Sequence, residues 1–394
     1  MSNTIELEDK YTSGVIVKRP IALVRGQGAL VWDENGCEYI DCVAGQGSAN
    51  LGHCHPAVVK AITEQAQTLM ACTEMFHFAK RAELQARLVE AAGGGFNRVF
   101  LCNSGTEAVE GSLKFARYST GRTDFVAAKR GFHGRTMGSL SATWNKKYRD
   151  PFLPLVPGFR HVTYNNLEEL DAAVDEKTAG VILEVVQAEG GVYPGTPEFL
   201  RGAQEICRKK GALLILDEVQ TGFCRTGKMF AYQHYDLQPD LLALAKSIGG
   251  GIPMGAILIG ERIRPLEPAI HANTFGGNPI TSAAAVAAMD VYEEERIAEK
   301  AAELGMHLMA KLRAISSPLI REVRGLGMLV GIEIKQKATP YIAALTERGV
   351  LTLPAGLNVI RLLPPLVITK PQLDRVVEQI AAVLEKPVTE EETL

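Results

Sequence analysis

No run of eighteen apolar residues occurs in this chain, so no membrane-spanning helix is expected. The first ten residues, Met1 to Lys10, are polar and acidic and lack an apolar stretch, so no secretory signal is expected either. A net charge of -3 gives the whole molecule no drive toward nucleic acid or a membrane surface. The seven cysteines (37, 42, 54, 72, 102, 207 and 224) include no CxxC pair. An odd, dispersed set fits reduced thiols in a cytoplasm rather than a disulfide framework. Internal repeats and low-complexity segments are missing, and the tail Lys386 to Leu394 is expected to fray. His53-Cys54-His55 puts two imidazoles on one side of an extended segment. Pro56 follows at once and no partner pair is evident, so a structural loop is expected there and no metal.

What is present is ordinary for a globular protein: 46% hydrophobic and 22% charged residues. With 394 residues the chain can build one large core and a second, smaller domain. Short apolar runs alternate with helical patterns through its middle. Strands are expected at Arg98–Cys102, Phe125–Ala128, Val181–Val185, Ala212–Leu216, Leu241–Ala245 and Ala256–Ile259. They are apolar on both faces, as buried parallel strands are. Helices are expected at Glu107–Tyr118 and Pro197–Lys210 between them. The pattern is α/β, a mostly parallel central sheet covered by helices. Ligands of such sheets bind beyond the carboxyl ends of the strands. From about Thr281 the pattern changes to long amphipathic helices over Ala283 to Ile315, then an alternating strand pair over Ile320 to Ile334. A further strand ends in Val359–Leu363, and this reads as a separate α+β domain joined by the N-terminal strands Gly28–Trp32 and Glu38–Cys42. The expected division is residues 1–50, 51–285 and 286–394.

The chemistry gathers at strand ends. The run from Asp240 to Ala245 ends in Lys246, followed by Ser-Ile-Gly-Gly-Gly251, and Ala212–Leu216 ends in Asp217. An amine and a carboxylate so placed suit pyridoxal phosphate, whose aldehyde is held by a lysine and whose ring nitrogen is kept protonated by an acid. A desolvated lysine near cations has a lowered pKa and can act as nucleophile and proton shuttle. A strand-end lysine also snorkels to solvent in many proteins, and a strand-end aspartate often caps a turn. Gln220 stands where it can reach the ring's phenolic oxygen. Asn103-Ser-Gly-Thr-Glu-Ala108 lies between a strand and a helix, where Ser104, Gly105 and Thr106 with the helix N-terminus make a phosphate cup. The same residues also read as a plain N-cap. In Gly131-Phe-His-Gly-Arg-Thr136, Phe132 or His133 can stack on a planar ring and Arg135 can grip a carboxylate, or the segment is a turn with a surface arginine.

Together these stretches resemble the class III, ornithine-type, pyridoxal-phosphate-dependent aminotransferases of fold type I. Leu216-Asp-Glu-Val-Gln-Thr-Gly222, Ala245-Lys-Ser-Ile-Gly-Gly-Gly-Ile-Pro253, Thr274-Phe-Gly-Gly-Asn-Pro279, Arg324-Gly-Leu-Gly327 and Ile360-Arg-Leu-Leu-Pro-Pro365 extend the likeness over nearly the whole chain. The resemblance implies that Lys246 forms the Schiff base, Asp217 pairs with the pyridine nitrogen and Gln220 contacts the phenolic oxygen. It implies that Ser104, Gly105 and Thr106 hold the phosphate, that Phe132 stacks on the ring with His133 beside it, and that Thr274 reaches the cofactor of a second subunit in a homodimer. Arg361 is then the arginine for the α-carboxylate of glutamate, Glu189 the gate that pairs with it while the other substrate is bound, and Arg135 the group for the donor's carboxylate.

Within the family the likeness is strongest to acetylornithine aminotransferases and to enzymes that act on lysine or ornithine linked to the acidic carrier LysW. Trp144 to Phe152, Phe230 to His234 and Tyr164 to Asn166 carry it. An acidic carrier favours a basic rim, for which Lys146, Lys147 and Arg149, with Lys80 and Arg81, are candidates, or these are a solvated face. Val185, Ala188, Val109 and Cys224 depart from the usual family residues. Gln46 stands where ornithine aminotransferases carry a tyrosine, which weighs against free ornithine. The implied reaction moves the terminal amine of an N-blocked ornithine or lysine to 2-oxoglutarate. The alternatives are 4-aminobutyrate, ornithine or succinyldiaminopimelate transamination, or racemisation; a non-enzymatic regulatory role is disfavoured by the intact Lys246 and Asp217.

Overall fold

The structure is a computed structural model that describes residues 4–386. The tail from 387 onward, expected to fray, lies outside the described residues. Seven strands form the central sheet, in the spatial order Phe96–Cys102, Gly255–Gly260, Leu241–Leu244, Leu213–Asp217, Thr178–Glu184, Asp124–Ala128 and Phe159–Val162. All are parallel except Gly255–Gly260, which runs against both its neighbours. Alternate residues feed two cores, one on each face: Leu214 and Leu216 enter the first, Leu213 and Ile215 the second. That is why these strands read as continuous apolar runs. The edge strand Phe159–Val162 escaped the sequence reading because it is half-buried and carries Arg160, which pairs with Asp175 at 2.6 Å.

The expected helices form as Gly105–Thr120 and Pro197–Lys210. Ser104 and Thr196 cap their first turns, and Gly121 and Gly211 end them in the left-handed conformation. The stretch from Ala283 to Ile315 is helical as expected, forming Pro279–Glu294 and Ile297–Arg313, separated at Arg296, whose φ is +52°, but it differs from expectation in one respect. The first is not amphipathic. It is buried on nearly every face from Pro279 to Tyr292, because its alanines let the helices Pro56–Ala66 and Ala79–Ala92 pack closely against it. The position 285/286 lies inside this unbroken helix.

Beyond it, Ile320–Leu326, Leu329–Ile334, Val359–Leu362 and Leu353–Ala355 make an antiparallel sheet. The N-terminal strands Leu23–Gln27, Leu30–Asp33 and Glu38–Asp41 form another, completed by Val350–Leu351 in parallel with Glu38–Asp41. Strands from residues 23–41 and 350–351 thus share one sheet. His53 Nε2 lies 2.7 Å from Asp41 Oδ2, which accepts from it, and His55 meets Glu295 at 3.3 Å, so each imidazole of that loop has its own carboxylate.

Candidate active site

Sheet register builds the site. Asp217 stands beside Glu184 on one side and Ala243 on the other, with Lys246 three residues past Ala243. A cavity of about 570 Å³ opens at these carboxyl ends. Its walls include Ser104, Gly105, Thr106, Phe132, His133, Arg135, Glu189, Asp217, Gln220 and Lys246, residues from five separate stretches of sequence.

Lys246 is half-buried and has φ +50°, an uncommon conformation for a residue with a side chain. Burial lowers its ammonium to about 8, against the pull of Glu189, Asp217 and Glu184 and with the help of Arg361. A fraction of the amine is therefore neutral near pH 7. Asp217 is buried and doubly held: Oδ2 lies 2.8 Å from His133 Nδ1, and Oδ1 accepts from the Val219 N–H at 3.0 Å. Burial opposes a charge on His133, but the hydrogen bond and charge of Asp217, with Glu184, raise its pKa above the ordinary value. His133 is thus bonded by its ring edge to Asp217, which leaves Phe132 as the aromatic wall.

The strand-to-helix junction supports both of its readings at once. Ser104 Oγ accepts from Glu107 N–H at 3.2 Å, an N-cap. Gly105 and Thr106 occupy the first turn, where N–H groups have no acceptor within the helix. A side chain on Gly105 would come within 2.7 Å of Val219, another cavity wall, so the close approach needs glycine. Thr106 Oγ1 meets Thr136 Oγ1 at 2.8 Å and Ser139 Oγ at 2.6 Å, and Glu110 accepts from the N–H groups of Gly138 and Ser139.

Arg361 is buried against two of the cavity walls: its Nη1 donates to Glu189 Oε1 at 2.8 Å and to Gln220 Oε1 at 3.0 Å. Its Nε is buried without a partner. Gln220 donates from Nε2 to the Gln46 carbonyl at 3.1 Å, so its amide is spanned between Arg361 and the turn at 44–46. That turn is left-handed at Ala44, Gly45 and Gln46 in succession. Arg135 is exposed and stacks on Tyr148, 3.5 Å from the ring centroid. Thr274 is exposed and away from the cavity of its own chain. Lys146 and Lys147 are exposed in a groove that shares Phe132 and Glu189 with the cavity mouth. Arg81 does not join them. It is buried, with its guanidinium on the carbonyls of Gly277, Phe76 and Cys72, a structural clamp that the sequence alone did not distinguish from a surface charge. Lys80 pairs with Glu83 at 2.9 Å.

Two site residues were missed. Glu184 read as part of a strand, yet it is buried at the cavity wall and accepts from Phe132 N–H at 3.0 Å and Ala188 N–H at 3.1 Å. Burial pushes its carboxyl up to about 7, with Asp217 adding to the shift and His133 and the two N–H groups opposing it. A charged residue inside the run Val181-Ile-Leu-Glu-Val185 was the available signal. Tyr148 carried no signal, because its stacking on Arg135 depends on how the short helix Lys146–Arg149 meets the loop of Arg135.

A cavity at the carboxyl edge of a mostly parallel sheet, with an amine, a buried carboxylate and an N–H-lined turn, defines a fold type I pyridoxal-phosphate enzyme. Residues 13–384 match the family model Aminotransferase class-III. The chain is 54% identical to the [LysW]-aminoadipate semialdehyde transaminase of Deinococcus radiodurans, over 97% of this chain and 90% of that one. It is 45% identical to the acetylornithine aminotransferase of Methanopyrus kandleri, over 96% and 98%. Among solved structures, the ornithine aminotransferase of Toxoplasma gondii, described with partial occupancy of pyridoxal phosphate at its active site, superposes with a TM-score of 0.93 at 34% identity, covering 96% and 93%.

The chain belongs to the class III aminotransferases. It is a pyridoxal-phosphate-dependent transaminase, and the residues present fit that cofactor. An anion-seeking turn, a carboxylate fixed by two donors and a lysine with a lowered pKa line the same cavity.

Proposed function

We propose that this enzyme transfers the terminal amine of an N-blocked ornithine or lysine to 2-oxoglutarate, giving a semialdehyde and glutamate. The observation that carries the reading is the closed ion pair between Glu189 and buried Arg361 beside Lys246. A site that takes only α-amino acids needs no such pair. One that alternates between glutamate and a donor of a distant amine must neutralise Arg361 whenever no α-carboxylate is there. The relatives named for acetylornithine and for LysW-linked aminoadipate semialdehyde support this class of donor.

In this reading Ser104, Gly105 and Thr106 hold the phosphate through their N–H and hydroxyl groups. Phe132 would wall one face of the bound ring, and His133 orients Asp217, which would keep a proton at the ring nitrogen. Gln220 reaches the phenolic oxygen from its place beside Arg361. Pyridoxal phosphate, when bound, supplies an electron sink for the carbon that loses its proton. Lys246 moves that proton, for which a pKa of about 8 suits it. Arg135, flattened against Tyr148, takes the donor's carboxylate bidentately.

The proposal includes a homodimer in which exposed Thr274 serves the neighbouring subunit's phosphate, a cytoplasmic location, and a division into residues 1–50, 51–285 and 286–394 with the first segment joining the last. The shared sheet of Glu38–Asp41 and Val350–Leu351 supports that joining. Lys146 and Lys147 at the cavity mouth support an acidic carrier as the blocking group. Half-reaction absorbance of the purified enzyme with acetylornithine, ornithine, 4-aminobutyrate and LysW-linked lysine tests the reading. Fastest conversion by an N-blocked donor is expected; fastest conversion by 4-aminobutyrate or free ornithine would overturn it.

A further inference from the structure

The gate residue Glu189 lies on a loop that is fastened at both ends. On the near side, Ala188 N–H donates to Glu184 at 3.1 Å and Gln187 Nε2 donates to the Lys129 carbonyl at 2.9 Å. On the far side, Arg324 donates to the Gly191 carbonyl twice, from Nε at 2.9 Å and from Nη2 at 2.7 Å. Between them, Val186–Gln187 pairs with Tyr193–Pro194 as a short antiparallel ladder, so residues 188–192 form its tip.

The clamp is itself rigid. Arg324 is buried, and its Nη1 pairs with Glu333 at 2.6 Å and Glu322 at 2.8 Å. Its guanidinium lies over the Tyr193 ring at 3.8 Å, and Arg130 lies 4.9 Å from the same ring. Tyr193 also donates to Glu333 at 3.2 Å. Next to Gly191, Val192 is fully buried at φ +56°, a conformation a β-branched residue adopts only under constraint. Its side chain fills the space left by Gly331, where an added Cβ would come within 2.9 Å of it. Gly331 is the register partner of Arg361. The sheet that carries Arg361 therefore also holds, through Arg324 and Gly331, the loop that carries Glu189.

We propose that Arg324 is the positioning residue of the gate. It fixes the Gly191 carbonyl, so that Glu189 leaves and regains Arg361 by rotation of its side chain on an immobile main chain. This rests on the dual-substrate reading above. Arg324 touches neither reacting group and acts through the loop. Lysine at this position keeps a charge but cannot make the paired donation to one carbonyl.

The test uses four holoenzymes: wild type, Arg324→Lys, Glu189→Ala and the double variant. Single-turnover absorbance gives kcat/KM for the glutamate and acetylornithine half-reactions. Hydrogen exchange follows the amides of residues 188–192. Arg324→Lys should lower the acetylornithine-to-glutamate ratio by about tenfold, the scale of one charge-assisted hydrogen bond. The change should appear in KM for the donor more than in kcat, because a donor bound while Glu189 is displaced leaves the buried Arg361 charge without its counter-ion. Exchange at 188–192 should quicken, and the double variant should match Glu189→Ala alone. Equal loss in both half-reactions, full additivity in the double variant, or unchanged exchange would overturn the assignment. If Arg324→Lys does not fold, Gly331→Ala presses on Val192 from the same sheet and must shift the ratio the same way; no shift overturns the proposal. Should wild type transaminate neither substrate, the functional reading fails while the exchange data still decide whether Arg324 holds the loop.

Discussion

Arg361 Nη1 stands 2.8 Å from Glu189 Oε1, although Glu189 lies on a loop and Arg361 on a strand 172 positions further along the chain (361 − 189). Burial makes the guanidinium costly without a counter-charge. Glu189 is about one-third exposed, so it can swing away, and a substrate α-carboxylate can take its place. Arg361→Ala should therefore damage the glutamate half-reaction by more than tenfold, beyond its effect on the terminal-amine half-reaction. Stopped-flow absorbance of each half-reaction measures this. Equal loss in both would count against the gate.

Lys246→Ala should remove both the visible absorbance of the bound cofactor and turnover. The amine is the only lysine on the wall of the cavity among the described residues. Normal activity in that variant would refute the assignment of the site.

The pKa of about 8 at Lys246 sets a pH dependence. Only the neutral amine attacks an aldehyde, so the rate of reconstitution of apoenzyme with pyridoxal phosphate should rise with pH and level off above about 8. A rate still rising steeply toward the ordinary lysine value of 10.5 would show that the side chain is not desolvated.

Glu184 titrates the other way. Its pKa is raised from 4.5 to about 7 by burial, so the folded state binds more protons than the unfolded state between those values. Its contribution to stability is fully present below pH 4.5 and is lost as pH rises through 7. Glu184→Gln should flatten that part of the stability curve. It should also cost about 1–3 kcal/mol at pH 5, because an amide can accept from only one of the two N–H groups that Glu184 now serves. Urea unfolding at pH 5 and pH 8 checks both; an unchanged slope would place the titration elsewhere.

Thr274 is exposed in the single chain and lies outside its cavity. If it serves a neighbouring subunit, mixing an inactive Lys246 variant with a Thr274 variant should restore about a quarter of the activity, because statistical mixing gives some dimers one intact site. No recovery on mixing would argue that each chain works alone.

The apolar runs and the residues that follow them were legible because a buried parallel strand must be apolar on both faces and can present chemistry only at its end. Asp217, Lys246 and the turn at Ser104 were found by that logic. The edge strand Phe159–Val162 was not, since one exposed side let it carry Arg160. Arg81 reads as a surface charge because sequence does not reveal a cluster of backbone carbonyls that accept from it.

Residue order alone determined six of the seven strands of the central sheet, the lysine and acid at its edge and the family to which the chain belongs, because local periodicity and strand-end chemistry are properties of short stretches. Only the tertiary structure decided that Glu184 sits beside Asp217, that His133 bonds to Asp217 by its ring edge, and that Arg324 grips the loop of Glu189. Those relationships join segments tens to more than a hundred residues apart, and register and packing, not local composition, bring them within hydrogen-bonding distance.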